Sequence, residues 1–327
     1  MGFSLKAFDR IDNETDFVNH SLALFEYQFE KNSIYRSYCD LINVTPTEVQ
    51  KITDIPFLPI QFFKSHLVCS KPTPPKQYFE SSGTSGQIRS KHYVSDLSLY
   101  HKSFEKGFEL FYGSIEDYTL LALLPSYLER EHASLVYMAD QLIKKTKHPL
   151  SGFYLDEWGK LKKTIDALEQ KGQKTILLGV TFALLEAVEK YSWNLNHTLI
   201  METGGMKGMR KEWIRSALHD HLKKGFGVET IHAEYGMTEL LSQAYSNEKG
   251  IFYTPPWMRV LVRATEDPFE IQNVGKTGGL NIIDLANVDS CAFIATQDLG
   301  LVHPDGGFEV LGRFDQAEVR GCNLMVL

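Results

Sequence analysis

An alternation of strand-like and helix-like segments through the middle of the chain constrains its fold more than any other feature. Short apolar runs typical of buried strands occupy residues 118–124, 175–178 and 198–201. Helical spacing of apolar residues follows at 161–170 and 210–223. Strands that alternate with helices favour an α/β layered fold around a largely buried sheet.

The two ends of the chain have different patterns. Residues 12–41 carry apolar and aromatic side chains at three- and four-residue spacing, which predicts two amphipathic helices against one side of the core. Three prolines within 71–76 predict an extended link. After about Gly250 the pattern changes to short strand-like pieces separated by Gly and Pro, at 259–263, 279–284 and 293–296. These pieces predict a small, barrel-like β subdomain.

Composition excludes several classes of protein. The 327 residues carry a net charge of −7, and their Lys and Arg residues are scattered, so nucleic acid is not an expected partner. No apolar run approaches the roughly 20 residues of a membrane span, and the start lacks the apolar centre of a secretory signal, so we expect a cytoplasmic protein. The cysteines, Cys39, Cys69, Cys291 and Cys322, lie far apart without metal-ligand spacing. We expect free thiols and no structural zinc, with three of the thiols serving as small buried hydrophobes.

One loop combines hydroxyl groups, glycines and cations. It reads Ser81-Ser82-Gly83-Thr84-Ser85-Gly86-Gln87-Ile88-Arg89 and is followed by Lys91 and His92. Glycines let backbone amides converge on an anion, hydroxyls donate hydrogen bonds or bind magnesium, and a cation neutralises the outer charge. Phosphate binding is one interpretation of this loop. A plain surface loop is the other, because the sequence does not match the Walker pattern.

A second segment places a ring, a hydroxyl and a carboxylate around a glycine. It reads His232-Ala233-Glu234-Tyr235-Gly236-Met237-Thr238-Glu239. An aromatic ring can stack on a nucleobase, and a carboxylate can hold magnesium. Taken alone, the segment favours the simpler interpretation, a turn with a helix-capping Thr238.

A third set of residues lies near the end of the sequence. It reads Thr296-Gln297-Asp298-Leu299-Gly300, then Asp305-Gly306-Gly307, then Gly312-Arg313-Phe314-Asp315, and ends with Arg320-Gly321-Cys322. An Asp at the end of a strand can accept both ribose hydroxyls, and a nearby Arg can support a ribose or a phosphate. Asp305-Gly306 also predicts the turn of a hairpin, and both interpretations can hold together.

In this order, the three segments resemble the core motifs of the adenylate-forming superfamily, which includes acyl-CoA synthetases and peptide-synthetase adenylation domains. The family patterns are Ser/Thr-Ser-Gly-Thr-Ser/Thr-Gly-x-x-Lys, then Tyr-Gly-x-Thr-Glu, then Thr-Gly-Asp followed by Gly-Arg-x-Asp and a hinge. Here Gln297 replaces the usual Gly, Arg89 stands at the Lys position, and Gln316 follows Asp315. The joint match is far more specific than its parts.

A fourth segment, Glu202-Thr203-Gly204-Gly205-Met206-Lys207-Gly208, follows a predicted strand and opens a predicted helix. It lacks the spacing of a dinucleotide-binding fingerprint. The resemblance implies instead that Gly204 and Gly205 let the backbone pass close to an adenine ring.

A narrower resemblance rests on residues 124–130, 132–138 and 318–322, which look like the LuxE-type acyl-protein synthetases, known as long-chain-fatty-acid–luciferin-component ligases. The likeness runs from about Pro56 to Leu327. Typical superfamily members continue past Gly-Arg-x-Asp into a mobile C-terminal domain with a lysine that assists adenylation. This sequence stops at Leu327, so we expect that domain to be lacking.

In the LuxE-type family the acyl adenylate passes to a cysteine of the enzyme near its C-terminus, and the thioester is then handed to a fatty-acyl reductase. Cys322 occupies the matching position. A thiolate is the attacking species, and Arg320 nearby would favour it. The alternative for a lone cysteine at this position is an idle thiol.

The resemblance implies ATP and Mg²⁺ as cofactors and a role for each matched residue. Charges held in place ahead of reaction are the main catalytic contribution expected in such chemistry. The expected ligands of the β- and γ-phosphates are Ser81, Ser82, Gly83, Thr84, Ser85, Gly86 and Arg89. Those of magnesium are Glu239 with Thr84; of adenine, Tyr235, Gly204 and Gly205; of ribose, Asp298 and Arg313; and of the α-phosphate, Thr238. Gly236 is also expected to bind the nucleotide, and the acyl chain is expected near Tyr127 and His132. Either of the last two could equally be a core residue.

We expect the chain to divide into a helical segment at 1–70 packed on the core, an α/β AMP-binding core at 71–249, a β-rich subdomain at 250–315, and a tail at 316–327 that carries the candidate acceptor cysteine. The substrate expected is a fatty acid or other carboxylic acid, and the partner a fatty-acyl reductase or carrier protein. One alternative is a ligase that donates its acyl group to coenzyme A or a carrier protein. A nucleotide-binding scaffold without catalysis is the other, although retention of Glu239, Asp298 and Arg313 argues against it.

Overall fold

A computed structural model of the protein describes residues 11–73, 75–81, 88–125, 132–155, 157–204 and 213–314. The α-helices in this part are α1 (Glu14–Lys31), α2 (Ser33–Leu41), α3 (Phe62–Ser65), α4 (Leu97–Tyr112), α5 (Ser134–Thr146), α6 (Trp158–Gln170), α7 (Thr181–Lys190) and α8 (Arg215–Phe226). The strands are β1 (Leu58–Pro59), β2 (Tyr78–Glu80), β3 (Lys91–Tyr93), β4 (Thr119–Leu123), β5 (Gly152–Phe153), β6 (Thr175–Val180), β7 (Thr198–Thr203), β8 (His232–Tyr235), β9 (Ala244–Ser246), β10 (Ile251–Phe252), β11 (Met258–Arg263), β12 (Thr277–Asp284), β13 (Phe293–Val302) and β14 (Phe308–Arg313). None of these described helices has both the length and the apolar character needed to cross a membrane.

The chain divides into two compact units. The first unit comprises Met1–Tyr100, Thr238–Ser242 and Tyr253–Leu327, and the second comprises His101–Met237 and Gln243–Phe252. The chain passes from the second unit to the first between Met237 and Thr238, inside the predicted Tyr-Gly-x-Thr-Glu motif. The four-segment division made from the sequence stays a prediction.

The first unit is built on an antiparallel sheet. β11 pairs with β12, β12 with β13, and β13 with β14, while the short β1 runs parallel to β13. A Cβ atom on Gly300 would lie 2.1 Å from the carbonyl oxygen of Glu309 on β14. The glycine therefore allows β13 and β14 to approach closely at the point where their register shifts. The predicted hairpin is confirmed: Gly306 has φ +87 in its turn, and the Gly307 N–H donates to Asp305 Oδ1 at 3.0 Å.

Helices α1 and α2 attach to this sheet through buried amides. Gln28 Nε2 donates to the carbonyl oxygen of Asn287 at 2.6 Å, and Gln28 Oε1 accepts from the N–H of Ala292 at 2.9 Å. The Tyr35 ring stacks on Phe293 of β13 with ring centroids 6.0 Å apart. The two predicted N-terminal helices are thus confirmed, and polar bonds to a loop of the same unit orient them.

The second unit contains a mostly parallel sheet in the order β5-β4-β6-β7-β8-β9, in which only β9 is antiparallel among these described strands. Every residue of β4 and β6 is buried, as expected for strands covered on both faces by helices. The strands predicted at 118–124, 175–178 and 198–201 are confirmed as β4, β6 and β7, and the predicted α/β fold with a β-rich part is confirmed with them.

Two predicted boundaries are wrong. Helix α8 begins at Arg215, because Ile214 has extended backbone, and it continues past 223 to Phe226, where Gly227 at φ +69 ends it. β13 does not stop at 296 but continues to Val302, because pairing with β14 carries it through the register shift. Asp298 therefore lies inside a strand and not at its end.

Candidate active site

Eight of the predicted site residues lie outside the described residues. They are Ser82, Gly83, Thr84, Ser85, Gly86, Tyr127, Gly205 and Cys322. The remaining ones fall into two groups, one in each unit.

The predicted phosphate loop leaves and rejoins an antiparallel ribbon. β2 precedes it and β3 follows it, with Phe79 opposite His92 and Glu80 opposite Lys91. The Ser81 N–H donates to the Ser90 carbonyl at 3.1 Å, and the Ser90 N–H donates to Ser81 Oγ at 2.9 Å. These two bonds fix the base of the loop in the first unit.

Glu239 is a buried carboxylate at the end of the second motif. The residue is 5% exposed, and the hydroxyl of Ser90 donates a hydrogen bond to its carboxylate. Burial raises the pKa of Glu239, whereas the Ser90 bond and the positive charges of Lys64 and Arg313 act to lower it. The loop base and the second motif therefore meet at this carboxylate within the first unit.

Asp298 and Arg313 face each other across two strands. They are direct partners in the register of β13 and β14. Arg313 Nη2 donates to Gln297 Oε1 at 3.1 Å, so the residue that replaces the family glycine bonds to the arginine of the next motif. The structure thus brings Asp298, Arg313 and Glu239 into one unit, although the sequence separates them by up to 74 positions.

Two residues hold the segment 238–242 in place: Asp284, which had no predicted role, and His92, which was predicted only as a basic residue after the phosphate loop. The carboxylate of Asp284, at the end of β12, accepts from the backbone N–H groups of Leu241 at 2.8 Å and Ser242 at 3.0 Å. On the other side, His92 Nδ1 is 2.8 Å from the carbonyl oxygen of Thr238. Because a carbonyl oxygen only accepts, Nδ1 carries the proton in this bond.

His92 is completely buried, and its Nε2 atom has no hydrogen-bond partner among the described residues. Phe63 packs edge-on against the imidazole, with ring centroids 5.8 Å apart. Burial lowers the pKa of His92 to about 4, against the smaller opposite effect of the bond to Thr238. The side chain is therefore a neutral donor that holds the peptide next to Glu239. The sequence signal for it was the alternation Lys91-His92-Tyr93, which turns the histidine inward.

The predicted adenine residues gather at the carboxyl ends of β7 and β8 in the second unit. This is the edge at which open α/β sheets bind ligands. Gly204 follows β7 with φ +69, and its carbonyl accepts from the Thr181 hydroxyl at 3.0 Å. Tyr235 ends β8, and its ring lies 5.8 Å from that of Phe252.

A second carboxylate lies beside these residues. The Thr203 hydroxyl donates to the carboxylate of Glu234, and a Cβ atom on Gly236 would fall 2.5 Å from Glu234 Oε1. The Thr181 hydroxyl, which also binds Gly204, donates to buried Glu202 at 2.5 Å. The Thr181 hydroxyl therefore links the Gly204 carbonyl to the Glu202 carboxylate, and the absence of a Cβ atom at Gly236 leaves room for the carboxylate of Glu234.

His132 is half-buried just before α5. Its role at the acyl chain stays a prediction.

The donor set suits magnesium in one respect. Among the described residues, no three Asp, Glu, His or Cys side chains gather as a metal cluster. Magnesium in nucleotide enzymes is commonly held by one or two carboxylates together with substrate phosphates, so a single buried carboxylate such as Glu239 fits that mode.

Residues 6–103 match the family model described as acyl-protein synthetase, LuxE. The predicted family resemblance is confirmed. The chain is 24% identical over 326 residues to the long-chain-fatty-acid–luciferin-component ligase of Vibrio harveyi, covering 92% of this chain and 84% of that protein. It is 23% identical to the Aliivibrio fischeri protein of the same name, covering 92% and 85%. The match includes the residues before Pro56, which the sequence analysis had left outside the likeness.

Solved structures establish the fold. A 2-hydroxyisobutyryl-CoA ligase in complex with an acyl adenylate superposes with a TM-score of 0.64 at 10% identity, covering 92% of this chain and 68% of that one. The ATP-bound MatB from Rhodopseudomonas palustris superposes with a TM-score of 0.53 at 18% identity, covering 72% of this chain. This chain spans about half of that protein, 47% of its length. The fold is that of adenylate-forming enzymes.

Proposed function

We propose that this protein activates a fatty acid with ATP, forming an acyl adenylate and releasing pyrophosphate. The observation that carries the proposal is the buried Glu239 carboxylate, bonded to Ser90 at the base of the predicted phosphate loop and close to Arg313. A scaffold has no need to bury a carboxylate beside two cations. The acid class is taken from the names of the two similar ligases.

The reaction needs activation because a carboxylate is a poor electrophile. An oxygen of the acid attacks the α-phosphorus of ATP, the bond to the β-phosphate oxygen breaks, and pyrophosphate leaves. When bound, Mg²⁺ supplies positive charge to the phosphates as that bond breaks. Glu239 would hold the ion on the protein side, and Arg89 would bind the outer phosphates.

The remaining roles are those that the resemblance implies, and the positions of the described side chains support them. Asp298 would accept the ribose hydroxyls, with Arg313 opposite it supporting that edge. Tyr235, Gly204 and Gly236 would contact adenine from the carboxyl ends of β7 and β8. Thr238, whose peptide is held by His92, would donate to the α-phosphate.

For the second step, we propose that the thiolate of Cys322 attacks the carbonyl carbon of the adenylate and AMP leaves, which produces a thioester for delivery to a reductase. The other three cysteines are unsuited to this step. Burial raises the pKa of Cys39 to about 12 and also raises the pKa of Cys69 and Cys291. A buried thiol with a raised pKa is a weak nucleophile at neutral pH.

The test uses labelled fatty acids of several chain lengths with ATP and Mg²⁺. We expect acid-dependent pyrophosphate and a hydroxylamine-sensitive label on the protein. Cys322→Ser should lose the label yet still form pyrophosphate for at least one turnover, while the matched control Cys69→Ser keeps both.

The other outcomes separate the alternatives. A wild-type protein that takes no label but acylates coenzyme A is a coenzyme A ligase, and Cys322 is then an idle thiol. Label that survives in Cys322→Ser as a hydroxylamine-sensitive thioester moves the acceptor to Cys39, Cys69 or Cys291. Folded protein that binds ATP and forms no pyrophosphate with any acid contradicts adenylation.

A further inference from the structure

A cavity of about 570 Å³ lies in the first unit, between residues around α3 and the β2–β3 ribbon. Residues from three places in the sequence line it, among them Phe63, Lys64 and His66 around α3, Glu80 and Arg89 at the two ends of the phosphate loop, and Tyr93. Its volume falls within the range of small-molecule sites. The role of α3 was not anticipated from the sequence.

The walls of this cavity carry an excess of positive charge. Lys64, Arg89 and Lys91 contribute three positive charges and Glu80 one negative charge, which leaves two positive charges. Arg89 and Lys91 share the one carboxylate, at 3.4 Å and 3.5 Å from its two oxygens. In the part of the chain that the structure describes, Lys64 forms no ion pair. A cavity with this net positive charge is complementary to an anion that carries more than one negative charge.

Lys64 also connects the cavity to the proposed reaction centre. Its charge acts on Glu239, as does that of Arg313. The helix that carries it is fixed from beneath, because Phe63 is buried and packs against His92. A ligand bound by Lys64 would therefore lie within electrostatic range of the carboxylate that is proposed to hold magnesium.

We propose that this cavity binds the diphosphate end of ATP and the pyrophosphate derived from it, and that Lys64 is a phosphate-binding residue outside the recognised motifs. The proposal rests on the proposed adenylation, which supplies both anions. Lys64 on α3 and Arg89 just before β3 both line the cavity, so the two cations would bind the phosphates from two separate elements. A charge-assisted bond of this kind contributes both affinity and position.

The experiment measures binding of inorganic pyrophosphate by calorimetry, with no acid present, to the full chain and three variants. Lys64→Gln should weaken the binding by about tenfold and reduce its dependence on salt, as expected on removing one charged hydrogen bond. Lys64→Arg should retain most of the affinity. Lys31→Gln, which removes an exposed lysine of the same unit on α1, should match the parent. AMP, which lacks the β- and γ-phosphates, should bind parent and Lys64→Gln equally.

The Michaelis constant for ATP distinguishes the two sources of the anion. If it rises in Lys64→Gln together with the pyrophosphate dissociation constant, Lys64 binds the nucleotide and the product alike. A change in pyrophosphate binding alone assigns the cavity to the product. Pyrophosphate binding within twofold of the parent in a folded Lys64→Gln variant would overturn the proposal. Because the calorimetric assay contains no acid, its result does not depend on adenylation, and failure of fatty-acid adenylation is detected separately as the absence of acid-dependent pyrophosphate.

Discussion

Replacing His92 with asparagine should remove a pH-dependent contribution to stability that this buried imidazole makes. The Asn side-chain amide places a donor near the position of Nδ1, so the bond to the Thr238 carbonyl is retained while the titratable ring is lost. The imidazole is neutral in the folded protein, since burial lowers its pKa to about 4. In the unfolded chain the imidazole takes up a proton at its ordinary pKa of 6.5.

The direction and size of the effect follow from proton linkage. Above pH 6.5 neither state binds the proton, and the full contribution is present. As the pH falls from 6.5 to 4, only the unfolded state binds it, so folding stability is lost through that window. The shift from 6.5 to about 4 corresponds to about 3 kcal/mol of unfolding free energy. Burial raises the pKa of Glu239 and Asp284, so these carboxyl groups add to folding stability as the pH falls. The pH dependence of the parent alone therefore combines their contribution with that of His92.

The difference between parent and variant isolates the histidine. Urea unfolding at pH 7, 6, 5 and 4 should show a constant offset at the upper end, from the lost packing against Phe63. As the pH approaches 4, the parent should lose about 3 kcal/mol of unfolding free energy relative to His92→Asn, because only the parent has an unfolded state that binds the extra proton. His66→Asn, at an exposed position in the same unit, controls for removing an imidazole. A parent-to-variant gap that stays the same at all four pH values would refute the assignment of a buried neutral His92.

Three further results are expected. Glu239→Gln keeps the size of the side chain and removes a charge that burial disfavours, so magnesium-dependent pyrophosphate release should collapse while the urea midpoint holds or rises; unchanged turnover would contradict the metal role. Gly300→Ala forces β13 and β14 apart and should cost about 1–3 kcal/mol of unfolding free energy. The control Gly159→Ala lies in α6, where an added Cβ atom meets nothing, and should be neutral or stabilising. Equal thermal midpoints for the two variants would contradict the close approach of the strands. Asp298→Asn should raise the dissociation constant for AMP but not for pyrophosphate, measured by calorimetry, and equal losses for both ligands would argue against a ribose contact.

The local sequence was sufficient to predict strands that are buried along their whole length and turns that have characteristic residues. β4, β6 and β7 were predicted because uninterrupted apolar runs between helical segments are typical of a parallel sheet. The hairpin at Asp305-Gly306 was predicted from its turn residues. The extension of β13 to Val302 was not predicted, because polar residues such as Gln297 and Asp298 read as a loop, and only pairing with β14 makes them a strand.

The candidate site was predicted where a motif is contiguous and missed where it depends on contacts distant in sequence. Asp284 reads as the polar end of an apolar strand, and nothing local shows that it binds the backbone of Leu241, 43 positions away. Lys64 belongs to a four-residue helix with no motif around it. The assignment of Thr238–Ser242 to the first unit likewise depends on Asp284 and His92, which only folding brings to that segment.

The burial of Cys39, Cys69 and Cys291 makes their rates of alkylation a measure of how often the surrounding structure opens. All three thiols lie in the first unit, and the sequence of the second unit contains no cysteine. An alkylating reagent added under native conditions can reach these sulfurs only when the surrounding structure opens, so its rate of incorporation reports the opening free energy of one unit alone. Mass spectrometry of each cysteine peptide would then separate local opening near α2 from opening of the β12–β13 connection.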